Sequence, residues 1–142
     1  MKKGIIVSGY FNPLHKGHIA YFKLAKEKGD TLIVIVNNDF QRNLKGSKEF
    51  MKEEERQLII KELIVVDAVY LSVDFDRTVC ESLKKIHNEL SDKYNLFFAN
   101  GGDQNNDSIP EVQVCKKLGI HLMDDLGDKI QSSSWLLNNN NK

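Results

Sequence analysis

The chain carries no excess of charge of either sign: among its 142 residues, 20 Lys and Arg stand against 20 Asp and Glu. Duplex nucleic acid and anionic membranes select for surplus Lys and Arg, so neither is expected as the main partner. Any phosphate bound here is bound locally. Cysteine is scarce as well, with Cys80 and Cys115 the only two. Two thiols cannot make a disulfide scaffold and neither has a metal-spaced partner, so reduced thiols in a cytoplasmic protein are the expectation. Long apolar runs are also missing. The stretch from Ile5 to Val7 behind the basic N-terminus falls well short of a signal-peptide core, and no later segment approaches a membrane span. There is no internal repeat and no linker. With 41% hydrophobic and 28% charged residues, the composition excludes disorder and collagen and suits one soluble domain with one core.

What is present is an alternation of short β-branched runs with helically spaced stretches. Residues 4–8 and 31–36 read as buried strands; the second, Thr-Leu-Ile-Val-Ile-Val, has no polar alternation, as in a parallel strand covered on both faces. Between them, 17–28 reads as a helix with Ile19, Phe22 and Ala25 three apart and Gly29-Asp30 as its stop. Further helices fit 52–64, a segment capped by Asp76 that carries Val79, Leu83, Ile86 and Leu90 on one face, and 110–118. Further strands fit 68–71, 95–99 and 120–123, with a polar loop over 100–108. The order predicts an α/β domain with a single doubly wound parallel sheet, right-handed crossovers and ligands at the carboxyl ends of its strands. Residues 138–142, four asparagines and a lysine, read as a frayed tail on a domain spanning 1–137.

The segment Gly9-Tyr10-Phe11-Asn12-Pro13-Leu14-His15-Lys16-Gly17-His18 follows the first strand and opens the first helix. Gly9 allows a close backbone turn past a ligand, Pro13 stiffens the approach, and the helix N-terminus at Gly17 favours an anion. His15 and His18, three apart, can both face one phosphate. Imidazole donates hydrogen bonds to phosphoryl oxygen in either protonation state, and as imidazolium it adds charge. A zinc reading lacks third and fourth ligands at suitable spacing.

This segment resembles the signature of the cytidylyltransferase-like nucleotidyltransferases, whose His-x-Gly-His motif is shared with class I aminoacyl-tRNA synthetases. The likeness extends from about residue 4 to 137. It implies a Rossmann-like nucleotidyltransferase fold, nucleotide binding by Gly9, Tyr10, Phe11 and Gly17, and catalytic roles for His15 and His18. In glycerol-3-phosphate cytidylyltransferases and heptose 1-phosphate adenylyltransferase domains, a lysine lies over the nucleotide phosphates and a glutamate-arginine pair opens a helix; Lys45 and Arg56 match them. Lys45, beside Gly46 in what reads as a polar loop, suits a mobile phosphate clamp in its own right. Arg56 stays open between ligand contact and an ion pair with Glu53 or Asp67, and Asn37 and Asp39 between substrate contact and structure.

Asn100-Gly101-Gly102-Asp103 resembles the family's Gly-Gly-Asp segment, which implies that Gly102 and Asp103 approach nucleotide or acceptor; a plain turn uses the same residues. Lys129-Ile130-Gln131-Ser132-Ser133-Ser134 looks like the family's Ile-Ser-Thr-Thr segment, implying a triphosphate cradle of Lys129, Ser132, Ser133 and Ser134 at a helix start. The cytidylyltransferases carry an arginine shortly before that run. Here Gly127, Asp128 and Lys129 stand in its place, and lysine cannot reproduce a bidentate guanidinium contact.

The resemblance implies an enzyme that moves a nucleoside monophosphate unit from a nucleoside triphosphate to a phosphorylated small molecule, releasing pyrophosphate. CTP is favoured as donor and ATP is the alternative. Mg2+ accompanies the triphosphate with no protein metal site, and relatives suggest a cytoplasmic homodimer. A catalytically silent nucleotide sensor is the rival reading. A flavodoxin-like redox or signalling domain lacks its flavin-phosphate loop or phospho-acceptor aspartate.

Overall fold

A computed structural model describes residues 1–99 and 109–123. Its strands are β1 (Lys2–Gly9), β2 (Thr31–Val36), β3 (Ala68–Leu71), β4 (Tyr94–Ala99) and β5 (His121–Met123), and its helices α1 (Lys16–Glu27), α2 (Asp39–Lys45), α3 (Glu53–Lys61), α4 (Cys80–Leu90) and α5 (Ile109–Leu118). The strands form one five-stranded sheet in the order β3-β2-β1-β4-β5, with every neighbouring pair parallel. The doubly wound expectation holds. The chain runs outward from β1 through β2 to β3, then crosses back to β4 on the other side of β1, which makes the carboxyl ends of β1 and β4 the switch point.

The two faces of the sheet are packed by different helices. Ile5 and Val7 of β1 join Leu32, Val34 and Val36 of β2 under Phe22 and Ala25 of α1 and Ile60 of α3. Ile6, Ile33 and Ile35 point the other way, onto Leu83 and Ile86 of α4 and Cys115 of α5. This alternation along strands whose central residues are all apolar is why β1 and β2 read as continuous hydrophobic runs.

The structure differs from the sequence expectations in three places. Helix 52–64 ends early, as α3, at Lys61; the chain leaves it through a turn closed by the Val66 amide on the Leu63 carbonyl at 3.1 Å, and Asp67 is held by its amide on the Leu32 carbonyl at 3.0 Å and its carboxylate on the Leu32 amide at 2.8 Å. Helix α4 starts at Cys80 rather than at Asp76. Asp76 instead closes a turn on Thr78, and the helix start is capped by Asp74, whose carboxylate accepts from the amides of Glu81 at 2.7 Å and Ser82 at 3.0 Å. Third, α2 occupies a stretch that reads as loop. Its capping box, Asn38 with Gln41, and Gly46 at φ 82 beyond its last residue are ordinary helix signals. Its buried positions, Gln41 and Arg42, are polar, so no core-facing apolar period announces it. The expected loop over 100–108 and the expected helix after Ser132 lie outside the described residues.

Candidate active site

At the end of β1 the backbone passes Gly9 and turns through Phe11 at φ 53 and a cis Asn12-Pro13 peptide. The Phe11 ring folds back so closely that a Cβ on Gly9 would lie 2.8 Å from Phe11 Cζ, and only glycine leaves that space. Phe11 is buried. It meets His18 edge-on at 5.0 Å and Phe22 at 5.3 Å between ring centroids, which ties the loop to the core face of α1.

The two histidines cap the helix they open. His15 is the N-cap of α1 and His18 its third residue. His15 Nδ1 accepts from the Gly17 amide at 3.1 Å, and His18 Nδ1 accepts from the His15 amide at 3.1 Å. A nitrogen that accepts carries no proton, so each neutral ring is the tautomer protonated at Nε2. The rings stack with centroids 3.8 Å apart. His15 Nε2 is buried and has no hydrogen-bond partner among the described residues, as expected of a donor whose acceptor is a ligand. Burial lowers the His15 pKa; burial first, then the neighbouring His15, brings His18 down to about 4. Near neutral pH the pair therefore offers neutral N–H donors.

Lys45 is the last residue of α2, not a loop residue. There its charge faces the negative end of the helix, and Nζ stands 4.4 Å from the centroid of the Tyr10 ring, a cation–π distance. Lysine and signature loop are thus in contact.

Arg56 does not fit the role of a ligand contact. It is 1% exposed, and its guanidinium donates to the carbonyls of Tyr10 and Asn37 at 2.7 Å each, Met51 at 3.0 Å, and Asp39 Oδ1 at 2.7 Å. The ion-pair partner is therefore Asp39 and neither Glu53 nor Asp67. Glu53 exchanges bonds with Asp39, and Asp67 pairs with Lys26. Asn37 Nδ2 donates to Gln41 Oε1 at 3.0 Å. Asn37, Asp39 and Arg56 thus form the frame behind the loop.

Sequence reasoning missed the residues that fix the β3 end of this frame. Asn38 Nδ2 donates to the carbonyls of Ser72 and Asp74, and Gln41 Nε2 to those of Asp76 and Thr78. The one available signal was Asn38-x-x-Gln41, a capping box in a polar stretch. Gly102, Asp103, Lys129, Ser132, Ser133 and Ser134 lie outside the described residues. Among the described residues no group of three or more His, Cys, Asp or Glu could hold a metal ion, and Cys80 and Cys115 are free thiols. No described helix is long and apolar enough to cross a membrane.

The chain is similar to known proteins. The cytidylyltransferase-like family model matches residues 6–128. The FAD synthase of Picrophilus torridus is 33% identical over 118 residues, 82% of this chain and 78% of that protein. The bifunctional protein HldE of Wolinella succinogenes is 31% identical over 140 residues, 93% of this chain but 28% of that much longer protein. Among solved structures, the lipopolysaccharide core biosynthesis protein of Thermoplasma volcanium superposes with a TM-score of 0.67 at 30% identity, covering 86% of this chain and 93% of that one. A bifunctional NMN adenylyltransferase/ADP ribose pyrophosphatase from Francisella tularensis shares the fold, with a TM-score of 0.60 at 13% identity over 87% of this chain and 38% of that one. With the strand order, the strand-end histidine pair and a family match over most of its length, the chain belongs to the cytidylyltransferase-like family and is a nucleotidyltransferase.

Proposed function

We propose that the protein transfers a nucleoside monophosphate unit from a nucleoside triphosphate to a phosphorylated small molecule. An oxygen of the acceptor's phosphate attacks the α-phosphorus, the bond from that phosphorus to the bridging oxygen breaks, and pyrophosphate leaves with the electron pair. The acceptor phosphate is already ionised near neutral pH, so no general base is required. Catalysis rests on alignment and on donors aimed at oxygens that gain charge. The observation that carries this reading is the stacked histidine pair, with both Nδ1 atoms engaged by backbone amides and the buried His15 Nε2 without a hydrogen-bond partner among the described residues.

His15 and His18 donate to phosphoryl oxygens, and Lys45 supplies the positive charge that the neutral histidines do not. Gly9, Tyr10, Phe11 and Gly17 shape the nucleotide side of the loop. Gly102, Asp103, Lys129 and Ser132 to Ser134 are the further nucleotide contacts that the family resemblance implies. Mg2+ enters as part of the nucleotide salt. The named relatives move the balance of donors from CTP towards ATP, because FAD is an adenine dinucleotide. A flavin phosphate and sugar phosphates are the first acceptors to try. A cytoplasmic homodimer remains the expected form.

The test is pyrophosphate release from ATP, CTP, GTP and UTP against those acceptors, repeated with His18→Ala. Turnover that depends on one nucleotide and vanishes in the variant supports the reading. Equal turnover in the variant contradicts it.

A further inference from the structure

Asn12 lies between Phe11 and the cis proline, and every polar atom of its side chain is used on one neighbouring segment. Nδ2 donates to the Lys48 carbonyl at 2.6 Å, and Oδ1 accepts from the amides of Phe50 at 2.9 Å and Met51 at 3.1 Å. That segment joins α2 to α3. Its near end is tied by Arg42 Nη1 to the Ser47 carbonyl at 2.6 Å, and its far end by Arg56 to the Met51 carbonyl. Lys45 stands immediately before it, its ammonium over the ring of Tyr10.

We propose that Asn12 is a positioning residue: its amide straps residues 48–51 to the histidine loop and thereby holds Lys45 over Tyr10. The inference rests on the proposed transfer reaction, in which Lys45 and the histidines act on one nucleotide. The chemistry requires an amide. Aspartate has the same shape and can accept from the Phe50 and Met51 amides, but its second oxygen would face the Lys48 carbonyl oxygen, acceptor against acceptor. Because Asn12 is only half-buried, replacing it perturbs the strap without opening the core. Arg56, wholly buried beneath the same segment, anchors it from inside.

A double-mutant cycle between Asn12→Asp and Lys45→Ala tests the link. We expect Asn12→Asp to lower kcat about tenfold, and the double variant to be no slower than Lys45→Ala alone, because one substitution already removes what the other positions. A double variant slowed by the product of the two single factors overturns the proposal, and so does a Lys45→Ala enzyme with unchanged kcat. Backbone amide exchange reads the strap without turnover: in Asn12→Ala the Phe50 and Met51 amides should exchange at least about tenfold faster. Unchanged exchange overturns the strap whatever the kinetics show. Loss of cooperative unfolding in both Asn12 variants makes Asn12 a folding residue and equally overturns it. If the wild-type protein turns over none of the nucleotides, the proposed function fails, and exchange alone decides whether the strap exists.

Discussion

In the proposed reaction His15 and His18 each perform two tasks with one ring: Nδ1 caps α1, and Nε2–H donates to the nucleotide. Substitutions can separate the tasks. Asparagine reproduces the reach of Nδ1 and glutamine that of Nε2. His18→Asn should therefore unfold in urea within about 1 kcal/mol of wild type, since the cap survives, yet release pyrophosphate at least about a hundredfold more slowly. His18→Gln should show the reverse bias, with more activity and a lower urea midpoint. Protonation has a defined sign. His18 titrates near 4 in the folded protein against an ordinary value of 6.5, so between those values the unfolded chain binds more protons and stability falls as pH is lowered. Above 6.5 the group contributes no slope. Urea midpoints at pH 4.5 and 7 should differ in that direction, and by less in His18→Asn. The identity of the two residues was legible from His-x-Gly-His after a buried strand. Their tautomer and neutrality were not, because both follow from backbone amides and burial that exist only once α1 has formed.

At the scale of elements, strands and apolar-faced helices could be read because each presents a period to the core, as Phe22 and Ala25 do on α1. Helix α2 presents none. Its apolar residues Phe40 and Leu44 are half-exposed while Gln41 and Arg42 are buried, and the polar network that Gln41 joins depends on carbonyls more than thirty residues away. For the same reason Arg56 could be placed at a helix start but not assigned its role. Asp74→Ala removes acceptors from the Glu81 and Ser82 amides and the Ser82 hydroxyl, so it should cost about 2 kcal/mol in urea unfolding. Gly9→Ala places a methyl carbon 2.8 Å from the Phe11 ring, which must move from beneath His18. That should cost about 1–3 kcal/mol and lower turnover as well, and a variant with wild-type kcat would show that the Phe11 ring does not set the histidines.

Over the whole molecule, the order β3-β2-β1-β4-β5 brings the histidine loop to the point where the sheet reverses direction. Tyr21 spans that point, its hydroxyl donating from α1 to the Ala99 carbonyl at the end of β4, and burial pushes its phenol well above the ordinary range. The balance of 20 against 20 charges is compatible with phosphate chemistry because the donors are local and partly uncharged: two imidazoles, one lysine and a helix start. That the histidine pair drives nucleotidyl transfer is tested most directly by the steady-state rate of pyrophosphate release from ATP and CTP with phosphorylated acceptors, compared between wild type and His18→Asn. Acceptor-dependent release is expected in the wild type, and at least about a hundredfold loss in a variant that remains folded. Equal rates in the two proteins would contradict it.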